Sequence, residues 1–206
     1  MITLTFDLPA SSTIFPNNEQ SQAHAIIGFE NGNVSANLVA SMSVVRWVVM
    51  GVSGCGKSTV GQALATRLQV AFVEGDQFHP PANVAKMSAG LPLDDDDRAG
   101  WLLALQAELR RAAEEGVGLV VSCSSLKRRY RDLLRAGDPA LRFAHLDGPR
   151  ELIAARMQAR HDHYMPPSLL DSQFRDLEPL QADEAGVTLS ITVAPEQLVA
   201  RILGDE

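Results

Sequence analysis

Positive charge is missing from the start of this chain: residues 1–45 contain no Lys or Arg. That absence excludes the basic n-region of a secretory signal and the arginines of a transit peptide. The same stretch is rich in Ser, Asn, Pro and Gln. After a strand-like beginning at Ile2, Leu4, Phe6 and Leu8 it is punctuated by Pro9, Pro16, Asn17 and Asn18. Residues 1–45 are therefore expected to be mostly disordered, and Met42, just ahead of the first apolar run, is expected to be the start of the functional protein. Cysteine is scarce as well. Cys55 and Cys123 are too few for a disulfide framework and fit a reducing cytosol. No apolar run reaches the length of a membrane span, and no internal repeat is present. A basic excess is also absent: the net charge is −7, which argues against nucleic acid as a partner and leaves local basic clusters to serve small anions.

What is present is a complete phosphate-binding loop. Residues 51–58, Gly-Val-Ser-Gly-Cys-Gly-Lys-Ser, fill every fixed position of G-x-x-x-x-G-K-[ST]. An apolar run ending at Met50 precedes it, and Val60, Leu64 and Leu68 follow at four-residue steps, so the loop is expected between a buried strand and an amphipathic helix. In that setting the glycines turn the backbone so that its N–H groups face inward, and the helix N-terminus adds positive potential. Lys57 would reach the β- and γ-phosphates of a nucleotide, and the Ser58 hydroxyl would ligate Mg²⁺.

From residue 46 onward, apolar runs alternate with helical patterns. The runs are 46–50, 71–73, 118–122, 141–146 and 187–193. This alternation predicts a parallel five-stranded sheet with helices on both faces, in an α/β domain covering 46–206. The first run is almost wholly apolar and reads as a central strand; the fifth alternates with Thr and Ser and reads as an edge. Trp101, Leu105, Leu109 and Ala112 mark a long helix with Asp94–Asp97 at its N-terminal end, while Pro149 and Pro195 fit first-turn positions of later helices. Ligands of such sheets bind at the carboxyl ends of the strands, which selects the residues that follow each run.

Three clusters stand there. After the second run come Asp76 and His79, ahead of Pro80-Pro81. Asp76 is a candidate general base or outer-sphere magnesium partner, and His79 could hydrogen-bond a polyol; the pair equally suits a turn-organising role. After the third run the chain reads Ser122-Cys123-Ser124-Ser125-Leu126-Lys127-Arg128-Arg129-Tyr130-Arg131. The aspartate that many phosphate-loop enzymes place here for Mg²⁺ is missing, which shifts metal duty toward Asp76. The basic run is either a solvated helix face or a wall for an anionic, hydroxyl-rich substrate. The third cluster is Arg150, Arg156 and Arg160, the last two four apart on one helix face, with His161, His163 and Tyr164 beyond. Arg156 and Arg160 could reach a triphosphate or serve in surface salt bridges. The histidines lack the cage of a zinc site.

These residues together resemble the gluconokinase family over about residues 46–204. The specific elements are Gly75-Asp76 with His79-Pro80, Asn83 and Lys86-Met87; Pro92-Leu93, Asp95, Asp97-Arg98 and Trp101-Leu102; Leu126-Lys127-Arg128 with Tyr130-Arg131; and Ser172-Gln173-Phe174 with Leu177-Glu178. Ser125 and Gly100 depart from residues common in the family without removing a charge. The resemblance implies a P-loop kinase fold with a short lid, and ATP- and Mg²⁺-dependent phosphorylation of D-gluconate to 6-phospho-D-gluconate, feeding carbohydrate acid catabolism. The few cysteines and the lack of a membrane-length run point to a cytoplasmic enzyme without membrane partners, and the resemblance implies a homodimer. By position, Gly51, Val52, Ser53, Gly54, Cys55, Gly56, Lys57, Ser58 and Thr59 would hold ATP, joined by Arg156 and Arg160. Asp76, His79, Lys86, Arg98, Lys127 and Arg131 would surround gluconate. Lys57, Asp76 and Arg156 would be catalytic, and Ser58 and Asp76 would attend the metal. A shikimate or nucleotide kinase shares the loop but not this combination of clusters, and an ATP-sensing module has no need of the catalytic aspartate.

Overall fold

The structure, a computed structural model, describes residues 26–30, 33–37, 44–159 and 169–205. The chain divides into two compact units, Met1–Val44 and Val45–Glu206. In the first unit, β1 (Ile26–Glu30) and β2 (Asn33–Asn37) pair antiparallel, with Glu30 opposite Asn33 and Ile26 opposite Asn37. The reading of this stretch as lacking regular structure did not anticipate a hairpin. A local signal was available, because Asn31-Gly32 between the strands is the dipeptide that two-residue hairpin turns favour. The strand-like beginning at Ile2–Leu8 lies outside the described residues.

In the second unit all five expected strands form: β3 (Arg46–Met50), β4 (Ala71–Glu74), β5 (Leu119–Ser122), β6 (Arg142–Asp147) and β7 (Gly186–Ser190). They pair in parallel in the order β4-β5-β3-β6-β7. The apolar β3 is the central strand and buried throughout; the alternating β7 is an edge. β7 stops at Ser190 although its pattern runs on to Val193, because its one neighbour, β6, ends at Asp147 and leaves nothing to pair with.

The period-two alternation of the strands feeds two cores. Trp47, Val49, Val120, Ala144 and Leu146 face α1 (Lys57–Leu68), α5 (Arg150–Gln158) and α7 (Pro195–Leu203) through Val60, Leu64, Ile153, Leu198 and Ile202. Val48, Met50, Val121 and Phe143 face α3 (Asp95–Glu114) and α4 (Arg128–Arg135) through Trp101, Leu105, Leu109 and Leu134. The acidic run does start α3: Asp94 is the N-cap, and it and Asp97 form a reciprocal capping box. Pro195 occupies the first turn of α7, whereas Pro149 sits one residue earlier than expected, at the N-cap of α5. Two shorter helices, α2 (Pro81–Ser88) and α6 (Leu170–Asp176), contribute Met87, and Ser172 and Gln173, to the lining of one cleft.

Candidate active site

The loop after β3 is built from backbone. Gly54 has φ +82°, and a Cβ there would lie 2.5 Å from Met157 Cγ on α5, so a side chain is excluded twice over. Gly51 N–H donates to Ser124 O at 3.2 Å, which ties the loop to the segment after β5. Lys57 opens α1, and its ammonium curls back over the loop to donate to Val52 O at 3.1 Å. Ser58 and Thr59 follow in the first helical turn, exposed.

The second strand end is clamped equally closely. A 3₁₀ turn (Gly75–Phe78) follows β4, and a Cβ on Gly75 would sit 2.1 Å from Ser122 O of the neighbouring strand. Gly75 N–H donates to Ser122 Oγ at 3.2 Å, Ser122 Oγ donates to the Glu74 carboxylate, and Trp101 Nε1 donates to Gly75 O at 2.7 Å. The turn is thereby fixed between β5 and α3. It presents Asp76 and His79 to a cleft that they line together with Ser53, Lys57, Met87, Leu93, Arg98, Trp101, Ser124, Leu169, Ser172 and Gln173. His79 stacks on Trp101 with ring centroids 4.2 Å apart and planes 17° apart. Burial lowers its pKa, with Asp76 opposing and Arg98 reinforcing, so the imidazole is neutral at pH 7. Among the described residues its Nδ1 has no partner. A neutral ring with an unpaired nitrogen is suited to a ligand hydroxyl.

The basic residues separate into different tasks. Arg98, 7% exposed, lines the cleft and is oriented by Tyr130 Oη at 3.2 Å and by Asp176 at 3.4 Å. Lys86 instead pairs with Asp97 and, at 3.4 Å, with Asp94. Lys127 pairs with Asp95 at 3.1 Å and Asp176 at 3.7 Å. Neither lysine is among the cleft's lining residues. Asp95 also receives Tyr130 and Arg129, and these hydrogen bonds, that from Tyr130 foremost, hold its pKa at about 2. The acidic run therefore does more than favour the helix dipole: it neutralises the basic rim.

Arg131 is a correction to the expected substrate set. Its side chain is fully buried in a two-pronged pair with Glu184, Nε to Oε1 at 2.6 Å and Nη2 to Oε2 at 2.7 Å. Its Nη1 donates to the carbonyls of Ser125, Leu126 and Glu178, and Nη2 also reaches Pro179 O. With its donors committed inside the protein, the guanidinium braces the segments flanking α4 and α6. It has none left for a ligand.

On the other side of the loop, Arg156 on α5 donates from Nη2 to Ile191 O at 3.0 Å. It lines a second cleft, of about 300 Å³, with Gly54, Gly56, Thr59, Ile191, Val193 and Pro195. Arg160, His161 and His163 lie outside the described residues. Both cysteines are buried, and burial pushes the Cys123 thiol up to about 11. Among the contributors to which the sequence reading gave no site role are the Ile191–Pro195 wall and Gln173, whose Oε1 accepts Ser53 N–H at 2.6 Å. Gln173 carried a signal only as part of the familial Ser172-Gln173-Phe174.

A phosphate loop with a lysine over it, flanked by two clefts, on a five-stranded parallel sheet with helices on both faces, is the P-loop kinase fold. The profile of the shikimate kinase family matches residues 53–204. A shikimate kinase structure from Bacteroides thetaiotaomicron shares the fold at 19% identity and TM-score 0.55. Nearer relatives are more specific. The gluconokinase of Gluconobacter oxydans is 47% identical over 156 residues, covering 76% of this chain and 88% of its own. The thermosensitive gluconokinase of Escherichia coli is 48% identical over 147 residues, covering 71% and 78%. The crystal structure of a gluconokinase from Sinorhizobium meliloti superposes with TM-score 0.71 at 43% identity, covering 79% of this chain and 91% of that one. The chain belongs to the gluconokinase family.

Proposed function

We propose that the protein transfers the γ-phosphoryl group of ATP to the 6-hydroxyl of D-gluconate, in the cytoplasm, giving 6-phospho-D-gluconate. The observation that carries this reading is the cleft that Asp76, His79 and Arg98 line together with Lys57 of the phosphate loop. In such a cleft Asp76 orients the acceptor hydroxyl and takes its proton as transfer proceeds. His79 and Ser124 supply hydrogen bonds to a polyol, and Arg98 supplies positive charge for a sugar acid. The loop N–H groups and Lys57 hold the β- and γ-phosphates, and the 300 Å³ cleft beside Arg156 takes the base. Transfer is direct and in line, because positioning and charge neutralisation supply most of the catalysis and no phosphoenzyme is required.

Mg²⁺ fits this donor set as an ion that enters with the triphosphate. Ser58 offers a hydroxyl in the first turn of α1 and Asp76 a carboxylate in the cleft, and among the described residues no group of three His, Cys, Asp or Glu forms a cage of its own. Ser58 and Asp76 would hold Mg²⁺ together with the substrate, and the ion would supply neutralisation of the charge that develops on the transferred group. We further infer a homodimer, which rests on the family resemblance. The test is ADP release by purified protein with Mg²⁺ across D-gluconate, shikimate, nucleoside monophosphates and no acceptor. Turnover with gluconate and not the others is expected; ATP binding without turnover on any of them would favour a nucleotide sensor instead.

A further inference from the structure

One side chain touches both the phosphate loop and the acceptor cleft, and the mechanism above assigns it nothing. Gln173 on α6 accepts the Ser53 N–H at 2.6 Å, and both residues are more than nine-tenths buried, at 7% and 6% exposure. Ser53 N–H belongs to the loop whose amides face phosphate oxygens. Gln173 also lines the acceptor cleft beside Lys57 and Asp76, as do Leu169 and Ser172 from the same segment. α6 itself is well anchored. Leu170 lies in the core, and Asp176 takes Arg98 at 3.4 Å and Lys127 at 3.7 Å. Just past the helix, Glu178 N–H donates to Leu126 O at 2.8 Å, and its carboxylate accepts Arg128 N–H at 2.6 Å.

An acceptor that meets Arg98 therefore acts on α6 through Asp176, while a phosphate that enters the loop acts on α6 through Ser53 and Gln173. We propose that Gln173 is a positioning residue that couples occupancy of the two subsites, holding the Ser53 N–H, and with it the loop, in register with the acceptor oxygen. This rests on the reading of the cleft as the gluconate site and the loop as the ATP site. The residue type suits the task. An amide carbonyl accepts from an N–H without formal charge, whereas a carboxylate in its place would set negative charge against the phosphates.

The experiment is a linkage measurement on the full chain: the Kd of a non-hydrolysable ATP analogue with Mg²⁺, with and without saturating D-gluconate, alongside kcat and both KM values. In the unaltered protein gluconate should tighten the analogue about fivefold or more. Gln173→Met, similar in length but without the hydrogen bond, should bring that factor to within about twofold and lower kcat by roughly 10- to 100-fold through misalignment. A simple tether would lower thermal stability and leave the linkage factor alone. Gln173→Glu keeps an acceptor for Ser53 N–H and so preserves the fold should Gln173→Met not fold; its analogue affinity and kcat should both fall, and unchanged values overturn the proposal. So does an unaltered protein that turns over gluconate with no linkage, or a Gln173→Met variant that keeps linkage. Absence of gluconate turnover in the unaltered protein would overturn the functional reading instead.

Discussion

The two sides of the site are made of different material. The phosphate side is mostly backbone: eight consecutive residues, glycine where a Cβ would strike Met157, and the first turn of α1, with Lys57 as its one charged side chain. The acceptor side is side chains, drawn from the 3₁₀ turn, α2, α3, the segment after β5 and α6, and oriented by ion pairs between residues far apart in sequence. A backbone-built anion site is legible as a contiguous pattern, because its chemistry is fixed by conformation. A side-chain-built pocket depends on which cation faces the ligand and which faces a buried carboxylate.

The sharpest way to break this comparison is to remove one group from each side. Lys57→Ala should lower kcat by about 10³-fold or more, since the charge it supplies counts most as the phosphoryl group transfers. Retained turnover would remove Lys57 from the mechanism. On the acceptor side, Asp76→Asn should cost about 10²- to 10⁴-fold in kcat with the KM for ATP little changed, as expected for loss of a general base. Steady-state kinetics with both substrates varied would separate these effects.

Arg131→Met sharpens the distinction between a brace and a binding group. Removing the two-pronged partner of buried Glu184, which then keeps only the longer ion pairs to Arg135 at 3.5 Å and Arg128 at 3.9 Å, should cost about 3–5 kcal/mol. At 2–4 °C per kcal/mol for a domain of this size, the melting temperature should fall by about 6–20 °C. The KM for gluconate in the folded protein should stay within about twofold. An unchanged melting temperature with a raised KM would return Arg131 to the substrate set.

The smallest expected effect concerns pH. Asp95 is held at about 2, below its ordinary carboxylate value of 3.8. Its folded pKa is depressed, so its contribution to stability is present above about 4 and is lost as pH falls toward 2. The side chain is 41% exposed, so solvent screens the effect. Asp95→Asn should lower stability slightly across the neutral range and flatten that acid limb, so that its stability–pH curve meets that of the unaltered protein near pH 2, and an identical acid limb would count against the network.

The same contrast explains what could be read in advance. The five strands, central β3 and edge β7 followed from apolar runs and alternation, because burial on two faces or one leaves different periodicities. Asp76 and His79, which line the cleft, stand out in sequence because they directly follow a strand on a sheet whose ligands bind at strand ends. Arg131 was misread because a buried partner 53 residues away, Glu184, leaves no trace near it in sequence. Gln173 was passed over because a helical glutamine looks ordinary until its oxygen is seen on a loop amide 120 residues away. The β1–β2 hairpin was missed for a different reason: the polar, proline-punctuated composition of residues 1–45 masks a strand pair of only five residues a side.

The central claim is that acceptor recognition lies in the Asp76–His79–Arg98 cleft and not in the basic rim. It is tested most directly by the KM for D-gluconate in Arg98→Lys beside Lys86→Ala. Losing the guanidinium geometry should raise that KM about tenfold or more, the scale of one charge-assisted hydrogen bond, with the KM for ATP within about twofold. Lys86→Ala should move it less than about twofold, as loss of an exposed ion pair does. A raised KM in Lys86→Ala with an unchanged one in Arg98→Lys would contradict the account.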